Sequence, residues 1–298
     1  MARAFITITA ILLALVAIAV AIEIPEDFVL VPGGRLLHKS CVRHLPAGAM
    51  VQEHHDDGRT VVLTKEGETI RFPACAYEAI AVEKGFSRMD GQDSAQYDGY
   101  MQQASEYHHE GFTEISGDWT VPGNPTQQKN QVIYLWLGTD DYEAGNVVQP
   151  VLQWGFNGNF GGNEWLFVSW FVTIGSANVG PQVTCSVGDD LFGIVSLNAT
   201  AMQYNSTALN QDTGESSELM VATTRTKNED LALVAMEGYS LTSCAELPGG
   251  DGETFSLLTL AENGQHVTPE WQPATYYHDC GVKAYVNSSS TVFLAWQN

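Results

Sequence analysis

Between Gly111 and Trp296 the sequence alternates short apolar runs with clusters of Gly, Asn, Asp and Pro. The clearest apolar runs occupy residues 131–136, 147–154, 165–172, 191–195, 231–235, 254–258 and 291–296. No segment longer than about eleven residues keeps the 3.6-residue period of an amphipathic helix. Runs with this spacing and turn chemistry predict an antiparallel, two-sheet β-sandwich from about Gly111 to Asn298, so the fold class is all-β.

The part of the chain before this core has a pattern of its own. Two apolar runs between Val61 and Phe72 flank a polar turn and predict a β-hairpin. The polar stretch from Met89 to Ser94 is typical of a linker. A helix is predicted only around Gln96 to His108. We therefore expect a small β segment or propeptide at 22–95, followed by a sandwich domain at 96–298.

The N-terminus has the pattern of a secretory signal peptide. An apolar run from Phe5 to Ala21 ends in the small-x-small step of Ala19 and Ala21, which predicts cleavage after residue 21. The alternative is an uncleaved membrane anchor, because a largely apolar run of seventeen residues approaches the length of roughly 20 that spans a bilayer. Glycosylation sequons at Asn198, Asn205 and Asn287 agree with a glycoprotein secreted to the extracellular space.

Five cysteines in a secreted chain indicate disulfide bonds and one unpaired thiol. Proximity in the sequence favours pairing Cys41 with Cys75 and Cys244 with Cys280. The first pair closes the N-terminal segment on itself. Cys185 alternates with valines on a predicted strand, so a small buried hydrophobe is favoured over a reactive thiol.

Composition and charge exclude several classes of partner. The 298 residues are 44% hydrophobic and 16% charged, which excludes general disorder. The net charge of −22 repels nucleic acid and anionic membranes. Residues 54–57 (His-His-Asp-Asp) and 108–110 (His-His-Glu) are favoured as solvated clusters over metal sites. The sequence therefore predicts no metal, no cofactor and a monomer.

Four pieces of the predicted core carry a resemblance to a known family. They are Ser116–Pro122, Trp136–Asp140, Pro150–Gly155 and the pair of runs from Gly188 to Gly214. In this order they resemble the eqolisins, the secreted glutamic peptidases of filamentous fungi, and more distantly the plant neprosin-type peptidases. The resemblance covers about a third of the chain and implies a concanavalin-like β-sandwich.

The resemblance also implies a reaction. In that family a carboxylate activates a water that attacks a peptide carbonyl, and a Gln amide donates a hydrogen bond to the developing oxyanion. Gln153 matches the catalytic Gln. Gln149, Val151 and Gln153 share one strand face. The residues alone favour a solvated face, whereas the resemblance favours a catalytic site there.

The catalytic carboxylate is harder to assign, because the aligned strand 167–172 puts Ser169 where the family has its Glu. Glu164 is the nearest carboxylate and the first candidate, although alternation along a regular strand points it to the other face. Asp140, which matches a supporting family aspartate, and Asp141 are alternatives. Ser169 is not expected to be a nucleophile, because no Gly-x-Ser-x-Gly motif surrounds it.

A rival function follows from the aromatic residues around the Gly- and Asn-rich turn at 155–163. Rings such as Trp154 and Trp165, beside Gln149, Asp140 and Ser169, could bind a glycan or a peptide without cleaving it. Two hypotheses therefore remain: an acid endopeptidase of glutamic type using Gln153 and Glu164, and a lectin-like binding module. Either one takes an extracellular polypeptide or glycan as its partner.

Overall fold

The computed structural model of this chain describes residues 24–77, 79–81, 97–141, 146–222 and 229–298. These residues are mostly β-strand, and their helical segments are two single turns of 3-10 helix, Lys39–Cys41 and Cys244–Glu246. Within these ranges no helix is long and apolar enough to cross a membrane. The expected signal peptide at 1–21 and the expected linker at 89–94 lie outside the described residues.

The strands fall into an N-terminal and a later group. The N-terminal group is β1 (Phe28–Val31), β2 (Arg35–His38), β3 (Val42–His44), β4 (Met50–His54), β5 (Thr60–Leu63), β6 (Thr69–Phe72) and β7 (Ile80–Ala81). The later group is β8 (Tyr97–Phe112), β9 (Glu114–Thr120), β10 (Val132–Asp141), β11 (Asn146–Trp154), β12 (Trp165–Val172), β13 (Ala177–Val179), β14 (Val183–Cys185), β15 (Asp190–Asn198), β16 (Gln203–Asn210), β17 (Ser216–Ala222), β18 (Glu229–Leu241), β19 (Gly252–Glu262), β20 (Gln265–Val267), β21 (Gln272–Thr275), β22 (Lys283–Ser288) and β23 (Thr291–Ala295).

Two large sheets form the body of the molecule. Sheet I has the order β21-β8-β18-β10-β11-β12-β13-β3, and β14 also pairs with β12. Sheet II has the order β22-β23-β19-β9-β15-β16-β17-β4-β5-β6, and β20 pairs with β19. Most neighbouring strands are antiparallel; β13 with β3 and β17 with β4 are parallel. The predicted two-sheet sandwich is confirmed.

The helix predicted around Gln96 to His108 is wrong, because this stretch belongs to strand β8. β8 pairs with β18 over most of its length and with β21 on its other edge. Register shifts in the β8–β18 pair, one of them between Met236 and Glu237, break the two-residue alternation that would otherwise mark a strand. Pairing with distant strands therefore overrides the local pattern.

The core between the sheets is built from large aromatic side chains. The ring of Trp119 packs edge-on against Phe167 at 5.1 Å and stacks on Phe255 at 4.9 Å. A Cβ at Gly193 would lie 2.7 Å from the Trp119 ring, so only glycine leaves room for it. The core thereby joins strands β9 and β19 of sheet II to β12 of sheet I.

The N-terminal segment covers the outer face of sheet I. We call its described residues, 24–77 and 79–81, the cover. Strands β1, β2 and β7 form a small sheet whose buried side chains, such as Val29 and Leu37, cluster with Tyr134 and Trp170 of sheet I. The cover also adds β3 to sheet I and β4–β6 to sheet II. Sheet I is therefore buried on both faces.

The cysteine pairing and the predicted hairpin are confirmed. Disulfides join Cys41 to Cys75 within the cover and Cys244 to Cys280 within the sandwich. β5 and β6 form the hairpin predicted at 61–72. Cys185 is unpaired and 7% exposed, and burial raises the pKa of its thiol to about 11. A thiol with that pKa carries almost no thiolate at neutral pH, which fits a structural role.

Candidate active site

Three side chains form a row across neighbouring strands of sheet I. Tyr134 on β10 lies opposite Gln153 on β11 and opposite Glu237 on β18. Residues that are cross-strand partners point to the same face of a sheet, and this face is the one beneath the cover. With strands about 4.8 Å apart, the Cα atoms of Gln153 and Glu237 are separated by roughly 10 Å. The row therefore brings an amide and a carboxylate to one face.

Glu237 is the one carboxylate in the apolar part of β18, residues 231–241, and is fully buried. Three donors surround it: Trp136 Nε1 at 2.8 Å from Oε1, the Tyr239 hydroxyl on Oε2, and the backbone N–H of Gly33 at 3.1 Å from Oε1 and 2.9 Å from Oε2. Two of the donors belong to sheet I and the third belongs to the cover. The carboxylate is therefore positioned by its own sheet and closed over by the cover.

Burial changes the protonation of this face. Desolvation raises the pKa of Glu237 to about 7, although hydrogen bonds from Tyr239, Gly33 and Trp136 lower it. Burial likewise raises the pKa of Asp140 to about 6, and the charge of Arg35 partly opposes that rise. Under the cover both carboxyl groups are therefore mainly neutral in acid.

The raised pKa of Glu237 predicts a specific dependence of stability on pH. Since its pKa is about 7 in the folded protein and its ordinary value is 4.5, the folded state binds more protons between these values. The stabilisation is therefore complete below about pH 4.5 and is lost as the pH rises to 7. In urea unfolding, the free energy of unfolding of the wild type minus that of Glu237→Gln should fall by on the order of 3 kcal/mol across this range.

Asp140 is present in both proteins of this comparison, so its own titration cancels in the difference. A difference that stays flat, or that rises with pH, would contradict a buried Glu237 with a raised pKa.

The amide of Gln153 is anchored in the turn that follows its strand. Its Nε2 donates to the carbonyl oxygens of Gly155 at 3.0 Å and Phe160 at 3.2 Å, and its Oε1 accepts from Asn157 at 3.4 Å. A Cβ at Gly161 would lie 2.7 Å from Nε2, so the turn needs glycine there to close over the amide. Both N–H groups are thus engaged, and one must be released before Gln153 can bind an oxyanion.

The backbone of the cover bonds Tyr134 and Glu237 of this row directly, and it reaches Gln153 through the turn that anchors it. The Leu30 N–H donates to the carbonyl of Asn157 at 2.8 Å, which holds the turn that anchors Gln153. The Tyr134 hydroxyl donates to the Leu30 carbonyl at 2.7 Å, and Gly33 closes over Glu237. Residues 30–33 therefore bond one candidate catalytic group, Glu237, directly and stabilise the turn that positions the other, Gln153.

Three residues assigned to binding from the sequence lie elsewhere, and these assignments are corrected. Trp154, Trp165 and Ser169 alternate with Gln153 or with Trp170 on their strands, so they face the core between the sheets. Each is at most 1% exposed. The Ser169 hydroxyl lies 2.9 Å from the Ser217 carbonyl oxygen, so it ties sheet I to sheet II.

The remaining predicted residues have mixed placements. Gln149 and Gln153 share the covered face, as alternation along β11 predicts, but both are fully buried and not solvated. Asp140 lies one residue before the end of β10, on the same face. Glu164 is exposed just before β12 and bridges to Gly162, and none of the hydrogen bonds of Gln153 involve it.

Sequence reasoning missed Glu237, which is the carboxylate that the row contains. It lies outside the resemblance to the family, which ends near Gly214, and it is 68 residues away from position 169, where the family has its Glu. One signal was available. In strand β18, Leu233, Ala235, Glu237 and Tyr239 have the same parity, so Glu237 is a charged residue in an otherwise apolar row.

The histidine clusters have structural contacts of their own. The ring of His54 packs edge-on against Phe171 at 4.8 Å, and His108 lies 3.2 Å from a carboxylate oxygen of Glu262. Among the residues that the structure describes, no three His, Cys, Asp or Glu side chains come together as ligands for a metal ion.

Comparison with known proteins gives one family and several solved structures. The model of the Peptidase A4 family matches residues 96–265, which are 170 of the 298 residues. Scytalido-glutamic peptidase with a peptide-based transition state analog is 14% identical (TM-score 0.48), and the same enzyme with a transition state analog inhibitor is 13% identical (TM-score 0.49). SCP-B of the eqolisin family, in complex with the tripeptide Ala-Ile-His, is 14% identical (TM-score 0.47).

Each of these three matches covers 66% of this chain and 98% of the other chain. No curated protein sequence matches. The family match spans more than half of the chain and includes Gln153 and Glu237. The resemblance seen in the sequence is confirmed, and the chain belongs to the Peptidase A4 family.

Proposed function

We propose that this protein hydrolyses peptide bonds in acid, with Glu237 as general base and Gln153 as oxyanion donor. The observation that carries the proposal is the row of Gln153, Tyr134 and Glu237 on one face of sheet I. It supplies the amide and the carboxylate that a glutamic-type mechanism needs. Glu237 thereby replaces Glu164 as the proposed base.

The chemistry follows from the two groups. Ionised Glu237 accepts a proton from a water molecule, whose oxygen attacks the carbonyl carbon of the substrate. The amide of Gln153 donates to the oxygen that becomes negative, and stabilising that charge lowers the barrier. Protonated Glu237 then gives its proton to the leaving amine. The base must be ionised in acid, so its pKa must fall below the value of about 7 that it has under the cover.

Removal of the cover provides that change. Exposure to solvent removes the desolvation that raises the pKa of Glu237, and its pKa falls toward the ordinary 4.5. Loss of the Leu30 contact also frees the turn at 155–162 that engages both N–H groups of Gln153. The form described above is therefore latent, and we propose that the cover is a propeptide.

Acid alone does not release the cover. Protonation of Glu237 accompanies the covered state, so lowering the pH from 7 to 4.5 stabilises that state through this group. A cut in the chain between residues 81 and 97 is the proposed trigger. Lys84 and Arg88 lie in that stretch of the sequence and are targets for a trypsin-like enzyme.

Secretion is part of the same proposal. The signal peptide pattern at 1–21 and two formed disulfides support an oxidising, extracellular destination. The sequon residues Asn198 and Asn287 are exposed and Asn205 is half-buried, so two of the sites are open to a glycosylating enzyme. The substrate class is then extracellular polypeptide.

The experiment compares the secreted full-length chain before and after limited trypsin treatment, each diluted into a denatured protein library between pH 3 and 7. We expect cleavage in acid from the nicked chain and little from the intact chain. A glycan array with both forms tests the binding-module hypothesis, whose main platform, Trp154 and Trp165, is buried in the core. No cleavage by either form, with saturable glycan binding, would replace the peptidase proposal.

A further inference from the structure

The amide of Gln149 is a second polar group beneath the cover, on the same face as Gln153. Its side chain is fully buried. Within the described part of the chain, neither its Nε2 nor its Oε1 has a hydrogen-bond partner. Gln153, four residues along the same strand, has three such contacts. The two glutamines of β11 are therefore in different states.

One neighbour of Gln149, Trp170, also has a buried polar group without a hydrogen-bond partner in the part of the chain that the structure describes. Trp170 lies directly opposite on β12 and is fully buried, and its Nε1 has no partner among the described residues. On the other side of β11, a Cβ at Gly138 would lie only 2.8 Å from Gln149 Cβ. Because Gly138 has no side chain, β10 offers no side-chain hydrogen-bond partner to Gln149 at this position.

Such a pair is costly and calls for an explanation. A buried polar atom without a partner costs about 1 to 3 kcal/mol, and folded proteins contain few of them. The cover provides partners for the nearby polar groups on this face, since Leu30 bonds Tyr134 and Gly33 bonds Glu237. Among the described residues it provides none for Gln149 and Trp170, so their polar groups keep unused hydrogen-bonding capacity on this face.

We propose that Gln149 and Trp170 form a subsite for the backbone of an extended peptide substrate. Together they present amide N–H and indole N–H donors and one amide oxygen acceptor, which suit the C=O and N–H of a peptide unit. None of the three groups is charged, and the net charge of −22 disfavours an anion there.

The subsite is remote from the reacting bond. Gln149 precedes Gln153 by four residues of a strand, or roughly 13 Å at about 3.3 Å per residue. An extended substrate lying along β11 would therefore reach Gln149 about four residues from the bond that is cut. This inference rests on the proposed function, because it requires that the cover leaves the face.

Gln149→Met tests the subsite, because Met keeps the length of the side chain and removes both polar atoms. Gln102→Met is the matched control: Gln102 is also fully buried, but its Nε2 donates to the Ala295 carbonyl at 2.9 Å. In thermal unfolding of the intact chain, Gln149→Met should keep or raise the Tm and Gln102→Met should lower it. A Tm for Gln149→Met that falls as far as that of Gln102→Met would overturn the claim that the amide is unpartnered.

Kinetics of the nicked chain on a denatured protein or an eight-residue peptide provide the second readout. Loss of the backbone contacts should raise KM about tenfold for Gln149→Met and leave kcat within about twofold, since this binding is shared by the ground state and the transition state. Gln102→Met should leave KM unchanged. An unchanged KM in Gln149→Met overturns the subsite while the peptidase proposal stands.

If the nicked wild type cleaves nothing, the peptidase proposal fails and the subsite is tested by binding alone. The probe is an eight-residue peptide with blocked termini, no charged side chains and an uncleavable ketomethylene group in place of the central amide, and its binding is followed by tryptophan fluorescence. Binding that weakens about tenfold in Gln149→Met supports the subsite. The absence of binding, or equal binding by both proteins, overturns it.

Discussion

Glu237→Gln is expected to reduce kcat/KM of the nicked chain by about a hundredfold to ten-thousandfold, the range associated with loss of a general base. The amide keeps the size of the side chain but accepts no proton from water. Glu164→Gln is the matched control, because Glu164 is exposed and is not among the hydrogen-bond partners of Gln153. Its kcat/KM should equal that of the wild type.

A loss of activity in Glu237→Gln could come from a folding defect and not from loss of the general base, so the two causes must be separated. The three donors around Glu237 all suit a carboxylate, so the amide of Gln would leave at least one of them poorly matched. Glu237→Asp keeps the acid and serves as a second variant, with partial activity expected. Full activity in Glu237→Gln would remove Glu237 from the mechanism, and a large loss in Glu164→Gln would restore Glu164.

Gly33→Pro is expected to make the intact chain active without a cut, raising its cleavage rate at least tenfold. Proline has no N–H to donate to Glu237, and its fixed negative φ cannot reach the φ of +89° that Gly33 adopts. Residues 30–33 should therefore lose their hydrogen bonds to the covered face of sheet I, so that the cover dissociates from it more readily. The rate is measured with protease-free, uncut protein at the acid optimum of the nicked wild type.

Gly67→Pro is the control for this variant. Gly67 has a φ of +87° and donates its N–H to the Thr64 carbonyl at 3.0 Å, and among the described residues this turn makes no hydrogen bond with the covered face. The Gly67→Pro substitution should strain the cover to a similar degree and leave the intact chain latent. If both variants stay latent, or both become active to the same degree, the Gly33 contact does not hold the enzyme inactive.

The fold could be predicted from the sequence because turn residues divide the chain into strand-length runs. The sequence does not show which face of each strand lies toward the other sheet. Every residue of β11 and β12 is buried, since the cover lies on one side of sheet I and sheet II on the other. The polar and apolar alternation that marks a half-exposed strand is therefore absent. The sequence does not show that Trp154 and Trp165 face sheet II and not the cover.

The site was predictable only in part, for a topological reason. Gln153 lies in a local motif, so its neighbours in the sequence identify it. Its acidic counterpart is brought to the same face by the pairing of β10 with β18, two strands that are far apart in the chain. No local pattern records that pairing. The contacts of the cover with this face have no sequence signal either, because they are made by backbone groups of Leu30 and Gly33.

The local closure of both disulfides has a consequence for the proposed activation by a cut in the chain. Cys41–Cys75 lies wholly within the cover and Cys244–Cys280 wholly within the sandwich, so neither bond joins the two parts. One cut between residues 81 and 97 therefore converts the cover from a tethered part into an independent molecule. From then on mass action governs its occupancy of the face: it rebinds where the protein is concentrated and stays dissociated once the protein is diluted. Inhibition would then be strongest at the site of storage and would fade as the enzyme spreads away from it.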